Sequence, residues 1–342
     1  MKAVLFREHG GPEKLTFEDL PMPTIGTGEV LVRVKACALN HLDIWIRQGN
    51  PAYPIPLPHV SGSDIAGVVE QVGAQVEGVT IGARVFVSPG LSCWTCENCL
   101  AGRDNFCSTF GVIGAKTHGG YAEYVKVPFR NVLPMSENLT FEQAAAFPLV
   151  SVTASHMLFA LAGLQHGETV LIMGAGSGVG SMAIQLAKLA GARVITTVGS
   201  DEKIPKAVVL GADAVINHSK EKMAERVKLL TEGKGVDVVI EHIGPEVWET
   251  CLASLAKGGR LITCGATTGA EVKLDLRYLY SRQFTIKGSY MGTRAELLKA
   301  AELMGQKRLI PVIDRTYPLQ EARAAQELML SRKFFGKIVL TV

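Results

Sequence analysis

The chain has no apolar run that approaches the roughly 18 residues of a membrane-spanning helix. Its N-terminal apolar stretch, Ala3–Phe6, meets Arg7 and Glu8 at once, so no secretory leader is expected. There is no internal repeat, no low-complexity linker and no excess of charge: 35 basic residues face 32 acidic ones, for a net +3. Lys and Arg scattered in that balance argue against nucleic acid and membrane as partners. With 47% hydrophobic and 20% charged residues over 342 positions, disorder, collagen and coiled coil are excluded. The length suggests about two domains with cores large enough to need no staples. Cysteine is scarce but informative. There are seven, an odd number, which with the missing leader points to a reduced, cytoplasmic setting. In that setting clustered thiols are more often metal ligands than disulfides.

Up to about residue 130 the pattern is short strands between turns. Val30, Val32 and Val34 alternate with Arg33 and Lys35, the period of a half-buried strand. From about residue 165, strands alternate with amphipathic helices. Thr169–Met173, Arg193–Val198, Ala214–Ile216, Val236–Ile240 and Arg260–Cys264 read as strands, with Gly211 and the Gly258-Gly259 pair punctuating the helices between them. Such alternation implies a parallel sheet covered by helices on both faces. Helices are expected over Ala295–Met304 and Leu319–Leu330, and a final strand over Lys337–Val342. The two ends of the chain must therefore build the other domain together. Pro205 falls early in a predicted helix and is expected to kink it.

Cys93, Cys96, Cys99 and Cys107 follow the spacing C-x2-C-x2-C-x7-C, so one loop of 15 residues can wrap a single ion. Four thiolates leave no open coordination position, the mark of a structural zinc site. An iron–sulfur cluster fits less well, because the last spacing is seven residues and Ser108, not Pro, follows Cys107. Four unrelated buried thiols fit poorly with Trp94, Glu97, Asn98 and Asp104, which make the loop polar.

Gly174, Gly176, Gly178 and Gly180, with Ser177 and Val179 among them, lie between the strand Thr169–Met173 and the helix that follows. Glycines at such a junction let backbone approach a pyrophosphate, while the helix start offers free N–H groups and a positive dipole end. At the end of the next strand an acid would bind a ribose 2′-hydroxyl and repel a 2′-phosphate. Val198 stands there instead, followed by Gly199-Ser200-Asp201-Glu202-Lys203. Ser200 and Lys203 suit a 2′-phosphate, so NADP(H) is expected over NAD(H), with Asp201 and Glu202 arguing mildly the other way. The same segment also reads as a helix start with Ser200 as its cap. His218 and His242 follow strand ends, where ligand-facing loops lie, and are candidate cofactor contacts or plain surface residues.

These features together resemble the medium-chain dehydrogenase/reductase superfamily. The resemblance rests on the cysteine lobe, the glycine-rich turn, Gly67-x5-Gly73-x8-Gly82 and the closing Gly336-Lys337-Ile338-Val339-Leu340. It implies an α/β chain with a GroES-like β-rich catalytic domain, residues 1–149 and 290–342, carrying the zinc lobe near 90–110. A doubly wound parallel-sheet (Rossmann) dinucleotide domain would occupy 150–289. It also implies a cleft between domains, a small-molecule substrate, and a homodimer or homotetramer joined through the dinucleotide domains.

Zinc alcohol dehydrogenases of this superfamily hold a catalytic zinc with Cys, His and Cys. Here Asn40, Ser63 and Leu149 fall at those positions, and Cys37 lies three residues out of register. Cys37 reads as a small buried thiol, and Cys251 and Cys264 have no metal-like neighbours. The pattern Asn40-His41-Leu42-Asp43 with Gly62-Ser63-Asp64 resembles the quinone oxidoreductase branch instead. Alcohol oxidation must stabilise an alkoxide, to which zinc contributes several kcal/mol. A single hydrogen-bond donor supplies about 3–4 kcal/mol at best. Reduction of a quinone or an α,β-unsaturated carbonyl spreads the charge, which neutral donors can handle. Asn40, with His41 or Ser63, is expected to orient or protonate the acceptor, Asp43 belongs to the same group, and Thr153 would lie beside the nicotinamide. Asn40 and Asp43 read equally as backbone partners and His41 as a core residue. Two alternatives stay open: an alcohol dehydrogenase with a relocated metal on His41, His59, Asp43 or Asp64, and a non-enzymatic nucleotide-binding protein. Trp45, Tyr53, Ile55 and part of 110–117 are expected to line the acceptor site.

Overall fold

The computed structural model describes residues 1–49 and 54–342, so Tyr53 lies outside the described residues. The chain divides into two compact units, Met1–Leu149 with Thr293–Val342, and Val150–Gly292.

The first unit is built on a seven-stranded sheet. Its long central strand, Glu29–Ala38, carries the alternating valines and is buried at seven of its ten positions. One neighbour is Asp64–Val72, antiparallel, with Ala38 opposite Asp64. Another is the closing strand Lys337–Thr341, also antiparallel, with Val339 opposite Ala38. Continuing that register two residues outward brings Lys337 level with Asn40. Three segments far apart in sequence thus deliver Asn40, Asp64 and Lys337 to one end of adjacent strands. The helix His41–Gln48 starts directly after Asn40 and ends at Gly49, whose φ of +85° favours glycine.

The second unit is a six-stranded parallel sheet. From one edge its strands are Ala214–Asn217, Arg193–Val198, Thr169–Ile172, Val236–Glu241, Leu255–Thr263 and Thr285–Gly288. In chain order this is 3-2-1-4-5-6, and the order reverses between Thr169–Ile172 and Val236–Glu241. Ligands of doubly wound sheets bind at that switch point. Leu171, Ile195, Val239 and Leu261 are fully buried in the sheet, each worth about 1.5–3 kcal/mol of burial. Such continuous apolar strands suit a sheet covered on both faces.

Two local expectations are corrected. Gly258 and Gly259 do not precede a strand starting at Arg260 but lie inside the strand Leu255–Thr263, where Gly258 has φ +80° and the register to the neighbouring strand shifts. Such a bulge uses the conformational freedom of glycine. Pro205 sits in the first turn of the helix Ile204–Val209, where its missing N–H costs nothing, so it starts that helix instead of kinking it.

Candidate active site and metal lobe

Asn40 is the cap residue of the helix His41–Gln48, in a capping box with Asp43, and its side chain also bonds to two other segments. Lys337 Nζ donates to Asn40 Oδ1 at 2.7 Å, and Asn40 Nδ2 donates to Asp64 Oδ2 at 2.9 Å. Lys337 Nζ also donates to Asp64 Oδ2 at 3.0 Å, and the Leu149 backbone N–H fills Asp64 Oδ1 at 2.8 Å. Asp43 takes the cap role from the helix side, accepting the Asn40 backbone N–H at 2.8 Å. It also accepts the Gly62 N–H at 3.2 Å and the Tyr121 hydroxyl at 3.1 Å. Burial pushes the Asp43 carboxyl up to about 6, against the pull of these donors. Gly62 can approach only because it has no side chain: a Cβ there would lie 2.5 Å from Tyr121 and 2.7 Å from Cys37 Sγ. Asp43, Asp64 and Tyr121 are wholly buried, whereas Asn40 and Lys337 keep 7% and 4% of their surface.

Among the expected site residues, Asn40 and Asp43 therefore belong to one buried network. Ser63 does not join it: it is fully buried and its hydroxyl meets no partner among the described residues. His41 is half-buried one residue into the helix, its ring 6.0 Å from Trp45. Thr153 is buried in the helix Pro148–Ser155. Ile55 is half-buried, and Ile113 and Ala115 belong to the core. Cys37 is a fully buried thiol whose pKa burial raises well above the ordinary value. Lys337, Tyr121 and Asp64 as its partner are the members that sequence reasoning did not assemble.

The relocated-metal alternative does not assemble either. His59 is 1% exposed, donates Nε2–H to the Gly114 carbonyl at 2.9 Å, and is held neutral by burial, down to about 4. Asp64 is engaged by Lys337. Among the described residues, the group of three or more His, Cys, Asp or Glu placed to hold a metal is Cys93, Cys96, Cys99 and Cys107.

Those four sulfurs all lie within 4.8 Å of one another, with Cys93 and Cys99 3.9 Å apart. Sulfurs about 2.3 Å from a central zinc stand about 3.8 Å apart in a tetrahedron. The donor set and its spacing fit zinc. Backbone N–H groups favour thiolates here: Cys96 N donates to Cys93 Sγ and Cys93 N to Cys107 Sγ, both at 3.3 Å. The lobe is anchored by Asp104, whose carboxylate accepts the Arg294 N–H at the start of the helix Arg294–Gly305.

In the second unit the glycine-rich turn lies at the switch point. Gly174 has φ +64° and donates its N–H to Thr197 Oγ1 at 2.9 Å. Ser177 caps the helix Gly178–Leu189 by accepting the Gly180 N–H at 2.8 Å. A Cβ on Gly180 would sit 2.2 Å from the Gly174 carbonyl oxygen, so only glycine lets the helix close on the turn. His242 follows the strand Val236–Glu241, donates Nε2–H to the Met173 carbonyl at 3.0 Å, and lies 3.1 Å from Ser177 Oγ. Burial lowers its pKa. Gly176, Gly178 and Val179 complete the turn, and the cradle fits a pyrophosphate. At the neighbouring strand end, Asp201 is already engaged by Asn217 at 2.6 Å and by Lys220. Ser200 Oγ donates to Glu202 at 3.3 Å, Lys203 lies in the same turn, and His218 stands 3.5 Å from where a Gly199 Cβ would be.

Both units resemble known proteins. Residues 26–137 match the alcohol dehydrogenase GroES-like domain, and 178–306 match the zinc-binding dehydrogenase family. An NAD-dependent alcohol dehydrogenase of Sulfolobus acidocaldarius is 35% identical, all of both chains being covered. A quinone oxidoreductase of Rattus norvegicus is 31% identical over 99% of this chain and 97% of its own. A crystal structure of an NAD-dependent alcohol dehydrogenase superposes with a TM-score of 0.96 at 45% identity, both chains fully covered.

Proposed function

The chain belongs to the medium-chain dehydrogenase/reductase superfamily and is an NAD(P)-dependent oxidoreductase, and on that premise we propose that it reduces a quinone or an α,β-unsaturated carbonyl. Membership as an enzyme removes the non-enzymatic alternative. The observation that carries the reading is the donor set at Asn40, Ser63 and Leu149: an amide, a hydroxyl and an aliphatic chain in place of two thiolates and an imidazole. Such a set is a poor match for zinc. The same neighbourhood offers an amide and an ammonium, which suit an oxygen whose charge is spread by conjugation.

When bound, the nicotinamide supplies the hydride. Gly174, Gly176, Ser177, Gly178 and Val179 would hold its pyrophosphate, with His242 and His218 beside it and Thr153 against the ring. NADP(H) is the proposed partner, because Val198 and Gly199 place no acid at the strand end, Ser200 and Lys203 suit a 2′-phosphate, and Lys220 and Asn217 occupy Asp201. The relatives named for NAD stand against that preference, so titration with both cofactors decides it. One structural zinc per chain sits on the four cysteines. We place the protein in the cytoplasm as a homodimer or homotetramer acting on a small molecule.

A panel of quinones, enals, aldehydes and alcohols tests the reading, each assayed by NAD(P)H oxidation or formation. Turnover is expected with quinones or enals. Turnover confined to alcohols and aldehydes, with two zinc ions per chain, would overturn it.

A further inference from the structure

An Asn side chain can be placed either way round, and its two ends do opposite chemistry. At Asn40 the surroundings allow one orientation. The oxygen faces the Lys337 ammonium at 2.7 Å and the nitrogen faces the Asp64 carboxylate at 2.9 Å. Rotating the amide by half a turn would set NH2 against NH3+ and oxygen against carboxylate, two repulsive contacts in a buried site. The Nδ2 atom carries two hydrogens, and Asp64 takes one. The other has no partner among the described residues. Asn40 also keeps 7% of its surface, whereas Asp43 and Asp64 keep none. It stands at the start of the helix His41–Gln48, where Asp43 accepts the Asn40 backbone N–H.

We propose that Lys337 and Asp64 together lock the Asn40 amide so that its second Nδ2–H is presented as the hydrogen-bond donor to the acceptor's carbonyl oxygen. Asn40 is then the catalytic residue and Lys337 a positioning residue acting through it. The inference rests on the reading of the protein as a reductase of quinones or α,β-unsaturated carbonyls. As hydride adds to the acceptor's carbon, the π pair moves onto its oxygen, and the amide N–H holds that charge until water supplies a proton. The ammonium on Oδ1 draws electron density along the amide and strengthens the N–H as a donor, as hydrogen-bonded chains do in low-dielectric surroundings. A pair of amide hydrogens split between carboxylate and substrate explains why an uncharged amide is held by a charge at each end.

The test uses full-length protein labelled with 15N at asparagine. The Asn40 side-chain signal is assigned by its loss in Asn40→Leu. In the wild type its two hydrogens should be widely separated in shift, one protected from exchange and one exchanging freely. Lys337→Met should bring them together, and Lys337→Arg should restore the separation. Lys337→Gln, which keeps a donor without the charge, carries the same test where Lys337→Met does not fold. In turnover with a quinone or enal, Asn40→Leu and Lys337→Met should each lower kcat by about 10–1,000-fold. NADPH binding, read by fluorescence, should stay within about twofold. An unchanged Asn40 signal in the neutral Lys337 variants, or undiminished kcat in Asn40→Leu, would overturn the inference. If the wild type turns over no quinone or enal, the functional reading fails, while the amide spectra still decide what Lys337 does.

Discussion

Lys337 Nζ and Asp64 Oδ2 lie 3.0 Å apart with side chains 4% and 0% exposed, although 273 residues separate them. They join the closing strand to the strand Asp64–Val72 across the edge of Glu29–Ala38. A buried pair of this kind gains little over an apolar replacement of both partners, but breaking one side strands a charge.

Asp64→Asn therefore leaves the Lys337 ammonium without its counterion. A loss of about 3–5 kcal/mol is expected, typical of an uncompensated buried charge. Denaturant unfolding of the two proteins measures it. A loss below about 1 kcal/mol would show that the pair is not the buried ion pair described.

The four-cysteine lobe predicts one zinc per chain by elemental analysis. Cys99→Ser should abolish stoichiometric zinc and lower the melting point, by about 2–4 °C for each kcal/mol lost. The glycine-rich turn belongs to the other compact unit, so cofactor affinity should survive.

Asp43 gives a pH signature. Its folded pKa, raised by burial to about 6, stands above the ordinary carboxylate value, so the folded state binds the proton more tightly. Its contribution is greatest below about pH 4 and is lost as pH rises toward 6, about 3 kcal/mol for roughly two pKa units. Asp43→Asn should remove that downward component from the stability profile. An identical profile in wild type and variant would count against it.

Gly199→Glu tests the ribose end. It restores an acid where the strand Arg193–Val198 ends, and a Cβ there meets nothing closer than 3.5 Å. NADPH affinity should fall at least about tenfold, since carboxylate and 2′-phosphate repel. NADH affinity should hold or rise. Equal effects on both cofactors would place the 2′-phosphate elsewhere.

What the sequence made legible was local. The zinc lobe fits within 15 residues, and the glycine-rich turn is read from a strand and helix that touch it. Alternating strands and helices were sufficient to expect the parallel sheet. The Lys337–Asn40–Asp64 cluster was not legible, because it depends on Val339 and Asp64 both pairing with Ala38, a register set by three distant segments. The one local hint was a lysine opening the otherwise apolar run Ile338-Val339-Leu340. Gly258 and Pro205 misled for a related reason. A glycine inside a strand and a proline in a first turn look like breakers until pairing and capping are known.

The amide of Asn40, clasped between an ammonium and a carboxylate, also ties three positions into one unit of descent. Changing any one of them alone leaves a mismatched partner in the interior: a stranded ammonium, a bare carboxylate, or an amide free to turn over. A lineage leaving this arrangement for one with different ligands must cross that valley or replace the three nearly together. Lys337, Asn40 and Asp64 should therefore vary in concert among the protein's relatives, while Ser63, whose hydroxyl meets no partner among the described residues, is not tied to them.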